Sequence, residues 1–190
     1  MSGFLLKGGC VLSLDSRVGN HVRADVLIEG GRVTEVGPNV RVRNVEQIDA
    51  TDTIVMPGFV DTHRHAWESL FRGLGDVADA PDAATRLGPH YSADDVYAAT
   101  LISLLGAIEA GITTVVDWAD VARDHFDAIA QAHADAGVRT VLAAASPAWS
   151  DRPDWHTPPT AAGSPLLTVA AGPPASLRDN DRVTDEWQRA

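Results

Sequence analysis

A single cysteine, Cys10, stands in 190 residues. That excludes an intramolecular disulfide and any zinc site built on paired cysteines, and it fits a reducing cytosol. Long hydrophobic runs are missing too. No stretch of about 18 apolar residues occurs, so no membrane-spanning helix is expected. The opening, MSGFLLKGGCVLSLDS, carries one lysine and breaks its apolar stretch with Gly8-Gly9 and Asp15. It lacks the charged start and unbroken apolar core of a signal peptide. Basic clusters are also missing. Fifteen Lys and Arg stand against 26 Asp and Glu, for a formal net charge of -11. Sequence-independent nucleic-acid binding needs clustered cations against phosphate, so the charge disfavours that class. The expectation is a cytoplasmic protein with no nucleic-acid or membrane partner.

What is present reads as globular: 45% hydrophobic and 22% charged residues. Residues 1–52 carry short alternating segments at 4–6, 10–14, 24–29, 32–36 and 45–50, with glycine pairs or Gly-Pro between several of them. Turn signals every eight to ten residues with period-two apolar positions predict a small β module. Gly8-Gly9 and Gly30-Gly31 read as turn glycines, because no helix follows either pair to make a phosphate cradle.

From residue 53 the pattern changes. Residues 53–60 form an apolar strand interrupted by Met56-Pro57-Gly58. Ser92 and Asp95 have capping-box spacing. Residues 93–110 then show helical periodicity, and Gly111 sits where a C′ glycine belongs. Residues 112–117 predict an apolar strand, 124–136 a helix ended by Gly137, 138–145 a strand and 166–171 another. Residues 146–165 are proline-rich and interrupt the alternation, and 184–190 begin a helix with Thr184 as N-cap. Apolar strands alternating with capped helices predict parallel strands covered by helices, an α/β fold. The domain division expected is 1–52 and 53–190.

At the end of the first strand of this second part stands Asp61-Thr62-His63-Arg64-His65. On a strand, positions i and i+2 share a face, so His63 and His65 project together. Two imidazoles side by side can ligate one metal ion. The C-terminal end of a parallel strand is also where α/β barrels keep their chemistry. Asp61, two residues earlier, is a candidate acceptor for the distal N–H of a ligating imidazole. Trp67 is a candidate to stack on a heterocyclic substrate, with packing under its loop as the alternative. Asp117 reads as a helix N-cap and Trp118 as packing. His125 and His133, on a helix, read as surface or satisfied core groups, and His21, His90 and His156 as turn or loop residues.

The run DATDTIVMPGFVDTHRH, continued by AWESLFRG and later by GITTVVD, resembles the start of the amidohydrolase superfamily. The resembling branch holds cytosine deaminases, guanine-type deaminases and triazine hydrolases. In that branch an arginine-glycine pair, here Arg72-Gly73, follows the metal-binding strand. The resemblance implies a small β-sandwich module followed by a TIM-type (β/α)₈ barrel, of which about four βα units fall within this chain. It also implies a divalent metal, zinc or iron, with His63 and His65 as its first two ligands. The implied reaction is metal-dependent hydrolysis or deamination at a C–N bond of a heterocyclic or amide-like small molecule. The family's later ligands, on the fifth, sixth and eighth barrel strands, find no counterpart among the other histidines. The expectations are therefore a chain inactive alone, with a remnant that binds or assembles, or half of a split enzyme, as alternatives. Four strands cannot close a barrel that needs about eight, so a homo-oligomer or a complementary chain is expected.

Overall fold

The computed structural model describes residues 3–74, 86–119, 125–144 and 164–171. Two units emerge, Met1–Pro57 and Gly58–Ala190. The first is a five-stranded sheet made of β1 (Gly3–Leu12), β2 (Asn20–Glu29), β3 (Arg32–Gly37), β4 (Glu46–Asp49) and β5 (Ile54–Val55). Its order is β3-β2-β1-β4, with β5 also pairing β1. The β1–β2 and β2–β3 pairs are antiparallel, whereas β4 and β5 run parallel to β1. Gly30 and Gly31, both at positive φ (57° and 75°), close the β2–β3 hairpin between Glu29 and Arg32. Two consecutive positive φ values are what a two-residue hairpin turn demands, and glycine meets them without strain.

Both faces of this sheet carry apolar residues. Leu5, Leu27 and Val40 form one cluster, and Val11, Ala24 and Val26 another. Asp25 is buried beside them, accepting hydrogen bonds from the Gly8 amide (2.9 Å) and the Val40 amide (3.1 Å). Two N–H donors replace the water this carboxylate has lost. Gly8-Gly9 does not make a turn between two strands, as its composition suggested. It is a bulge inside one strand, where the β1–β2 register shifts on either side of Gly9. A positive φ of 79° at Gly8 accommodates the extra residue.

The second unit is a parallel four-stranded sheet, order β6-β7-β8-β9. It comprises β6 (Phe59–Arg64), a 3₁₀ turn (Ala66–Phe71), α1 (Ala93–Glu109), β7 (Ile112–Ala119), α2 (Phe126–Ala136), β8 (Arg139–Ala144) and β9 (Leu167–Ala171). Helix α1 begins with the capping box read from its sequence: Ser92 accepts from the Asp95 amide, and Asp95 accepts from the Ser92 amide. Gly111 (φ 82°) and Gly137 (φ 69°) follow the two helices in left-handed backbone, again as their positions suggested. Val115 packs with Leu104 and Val138, while Ala119 and Leu142 pack with Phe126, Ile129 and Ala130. The helices thus cover the sheet face that carries Val115, Asp117 and Ala119.

The interrupted strand expected over 53–60 divides between the two sheets. Ile54 and Val55 pair Cys10 and Val11 of β1, whereas Phe59 begins the second sheet beside Ile112. The boundary between the two units falls after Pro57. Proline interrupts strand pairing, and Gly58 is demanded by closeness: a Cβ there would lie 2.2 Å from the Thr113 side chain. The proline-rich segment and the C-terminal helix suggested from Thr184 lie outside the described residues, apart from the turn at 164–166 that leads into β9.

Candidate metal centre

His63, in β6, and His65, one residue past its end, come together in one place. The Nε2 atoms of His63 and His65 are 3.2 Å apart, with ring centroids 5.2 Å apart and planes inclined at 51°. Two nitrogens each about 2.0–2.1 Å from one tetrahedral ion would be separated by about 3.3–3.4 Å. The donor set and its spacing therefore fit a divalent metal with little rearrangement. Among the described residues no third His, Cys, Asp or Glu joins the pair to make a set of three.

Asp61 does not stand on the histidines' side. Its expected place assumed regular alternation, but the β6–β7 register shifts between Asp61 and Arg64. Asp61 is matched with Val115 and Arg64 with Asp117, so a bulge turns both toward the helix-covered face. There Asp61 Oδ2 accepts from Arg64 Nε at 2.8 Å, and Oδ1 accepts from the His63 amide at 3.2 Å. Arg64 also donates to the Ser103 hydroxyl (3.1 Å) and carbonyl (3.3 Å) on α1. Asp61 is thus a strap for the strand. Glu68 Oε1, one turn on, lies 3.9 Å from His65 Nδ1.

Trp67, read either as a stacking platform or as packing under its loop, is only 4% exposed and packs edge-on against Phe71, with Gly88 beside it, in the main apolar cluster. Trp118, read as packing, is stacked on His63 with centroids 5.3 Å apart and planes 29° from parallel. The only signal for this was parity: Trp118 is one residue from Asp117 on β7 and so takes the opposite face.

Asp117 is not a helix N-cap. It is buried within the second unit, where Oδ1 accepts the Ala66 amide at 2.8 Å and Oδ2 lies 2.7 Å from His133 Nε2. His133 Nδ1 is in turn 2.8 Å from Thr140 Oγ1, and the Thr140 hydroxyl lies 3.3 Å from the Val138 carbonyl. His133 is therefore a satisfied core histidine, as read. A sequence scan had no means to pair it with Asp117, 16 residues away on another element.

Residues 54–186 match the model of the amidohydrolase family. The chain belongs to that family. It is 34% identical over 150 residues to a 5-methylthioadenosine/S-adenosylhomocysteine deaminase of Symbiobacterium thermophilum, covering 75% of this chain and 34% of the relative. A 5'-deoxyadenosine deaminase of Methanosarcina acetivorans is 36% identical over 124 residues, covering 62% of this chain and 28% of the relative. Among solved structures, a triazine hydrolase variant superposes with a TM-score of 0.67 at 26% identity, over 75% of this chain and 35% of that one. This amidohydrolase chain spans about a third of the length of the curated relatives it matches. Amidohydrolases are generally metal-dependent, in keeping with the converging imidazoles.

Proposed function

We propose that this chain carries the first two ligands of a metal-dependent C–N hydrolase site, and that the reaction is deamination of a heterocyclic amine of the adenosine type. The observation that carries the reading is the 3.2 Å approach of the His63 and His65 Nε2 atoms. The deaminases of adenosine derivatives among its relatives support the substrate class. A divalent ion, zinc or iron, would supply Lewis-acid activation of water, bringing its pKa toward neutrality. What the chain's own residues supply is placement. His63 and His65 hold the nitrogen donors, Trp118 fixes the His63 ring by stacking, and Arg64 with Asp61 ties the strand to α1.

A catalytic zinc site takes three protein ligands and keeps one position for water, and among the described residues this pair has no third. The isolated chain is therefore proposed to bind metal weakly and to turn nothing over. That same observation favours the second reading, a family member that serves binding or assembly with no chemistry of its own. Two measurements separate the readings. Metal content after equilibrium dialysis against Zn²⁺ or Co²⁺ tests the pair. Ammonia release from adenosine derivatives and other heterocyclic amines tests the catalysis. Metal bound and lost in His63→Ala supports the site, and no metal at millimolar supply leaves the assembly reading. Metal-dependent ammonia release by the isolated chain would overturn the proposal that it is incomplete.

A further inference from the structure

The buried Asp117–His133–Thr140 chain has no part in the ligand set, yet it ends one residue from His65. We infer that Asp117 is a positioning residue: it holds the Ala66 amide and so fixes the backbone that aims His65 at His63. His133 in turn holds Asp117. The inference rests on the metal reading of the pair only for its purpose, since the geometry exists without metal.

The argument runs from burial and direction. Ala66 is fully buried and starts the 3₁₀ turn Ala66–Phe71. The first amides of such a turn have no partner within it. A buried amide left unmade costs as much as a lost hydrogen bond, so something outside the turn must accept it. The acceptor is Asp117 Oδ1 at 2.8 Å, from the neighbouring strand. Its second oxygen is engaged by His133 Nε2 at 2.7 Å, which removes the carboxylate's rotational freedom. His133 is held at its other nitrogen by Thr140 at 2.8 Å. Three elements, β7, α2 and β8, therefore converge on one peptide N–H of the fourth. His65 itself has left regular strand geometry (φ −118°, ψ 80°). Its ring direction is set by that turn of the chain, and the Ala66 amide is the plane that fixes its ψ.

Placement across the sheet supports the same reading. Asp117 lies on the helix-covered face and Trp118 on the face of His63, so one dipeptide of β7 reaches the pair from both sides. Trp118 bears on the His63 ring and Asp117 on the peptide after His65.

The test uses the full chain and compares Asp117→Ala with Asp117→Asn. The asparagine keeps an oxygen for the Ala66 amide. It also turns an N–H toward His133 Nε2, with the imidazole proton then on Nδ1, where Thr140 Oγ1 accepts it. Two readouts need no metal: hydrogen exchange of the Ala66 amide, and the NOE between the His63 and His65 rings. Asp117→Ala should speed Ala66 exchange by about tenfold or more, the equivalent of one lost hydrogen bond, and should abolish the NOE. Asp117→Asn should keep both. A third readout is Co²⁺ affinity with its visible spectrum, expected to fall about 10–100-fold in Asp117→Ala, as for residues that orient ligands, and to be retained in Asp117→Asn. Loss in both variants, or in neither, overturns the inference. A wild-type Ala66 amide exchanging at the rate of an unprotected one overturns it with no variant needed, even where Asp117→Ala does not fold. Wild-type protein that takes up no Co²⁺ sinks the metal reading alone, and the exchange and NOE data still decide this one.

Discussion

Gly58→Ala should unfold this protein more readily by about 2 kcal/mol, a factor of about 30 in the folded-to-unfolded ratio. A Cβ built at position 58 would lie 2.2 Å from both Cγ2 and Oγ1 of Thr113 and 2.7 Å from its Cβ. Carbon atoms rest about 3.5–4.0 Å apart. Rotating Thr113 about χ1 would move Cγ2 or Oγ1 away, but never Cβ. Strand β6 must therefore move off β7 by about 1 Å, at the point where the Phe59 amide donates to the Gly111 carbonyl at 2.9 Å. Overpacking of this kind typically costs about 1–3 kcal/mol. Urea unfolding followed by tryptophan fluorescence measures it. Gly106→Ala serves as the opposite control. That glycine sits inside α1 with nothing within 4 Å of a built Cβ, so alanine should stabilise by about 0.5–1 kcal/mol. In a Thr113→Gly background, itself destabilised because glycine is a poor strand residue, Gly58→Ala should cost much less than in the wild type. A Gly58→Ala midpoint equal to the wild type, or the same cost of Gly58→Ala in both backgrounds, would refute the steric reasoning.

Three further outcomes are expected. His63→Ala and His65→Ala should each reduce Co²⁺ or Zn²⁺ uptake to the level of non-specific binding in competition with a chromophoric chelator, and uptake unchanged in both would remove the pair as a site. Ser92→Ala should cost about 1 kcal/mol through loss of the α1 cap. Hydrogen bonds from the Ser92 hydroxyl and then its amide hold the Asp95 carboxyl below its usual value, so that group's stabilisation is present above about pH 4 and lost as pH falls through the lower folded value. Thermal melts across the acid range should therefore show a shallower acid decline in Ser92→Ala, and an unchanged decline would count against the capping box as the cause. Finally, Phe59 and Val60 on β6, an edge strand among the described residues, are 56% and 59% exposed, and Ile102 and Leu105 on α1 are exposed as well; exposed apolar residues and a strand edge open to pairing favour association. Light scattering at low micromolar concentration should report self-association, and a compact monomer that binds no hydrophobic dye would end that expectation.

Much of the architecture was legible because local rules and tertiary packing agree. The Ser92–Asp95 box, Gly111 and Gly137 mark helix ends by chemistry that operates within a few residues, and the structure uses all of them. Parallel strands were legible from apolar runs alternating with helices. What was not legible depends on register between strands. The bulge after Asp61 has no signature in the sequence, yet it moves that carboxylate to the other face. The split of residues 53–60 turns on which neighbour each half finds, and β5 finds β1. The stack of Trp118 on His63 was not legible for a related reason. A large ring near a histidine pair invites a substrate role, but whether it faces the pair or the core is a matter of parity and loop direction. For Trp67 the core wins, with Phe71 across it.

The placement of the histidines also explains why so many polar contacts surround them. Among the described residues strand β6 pairs with β7 on one side only, and its apolar residues Phe59 and Val60 contribute little burial. Hydrophobic packing, the usual source of rigidity, is weak there. The strand is instead fastened at discrete points: the Phe59–Gly111 bond and the close approach of Gly58 to Thr113 at its start, the Asp61–Arg64–Ser103 strap in its middle, and the Ala66–Asp117 bond just past its end. Each hydrogen bond among them is worth about 1 kcal/mol on its own. Losing one should loosen the pair locally long before it unfolds the sheet, since local opening follows local contact density. A ligand pair must be held to fractions of an ångström to bind metal well. The polar straps, more than the apolar core, therefore set how well this strand end can hold one.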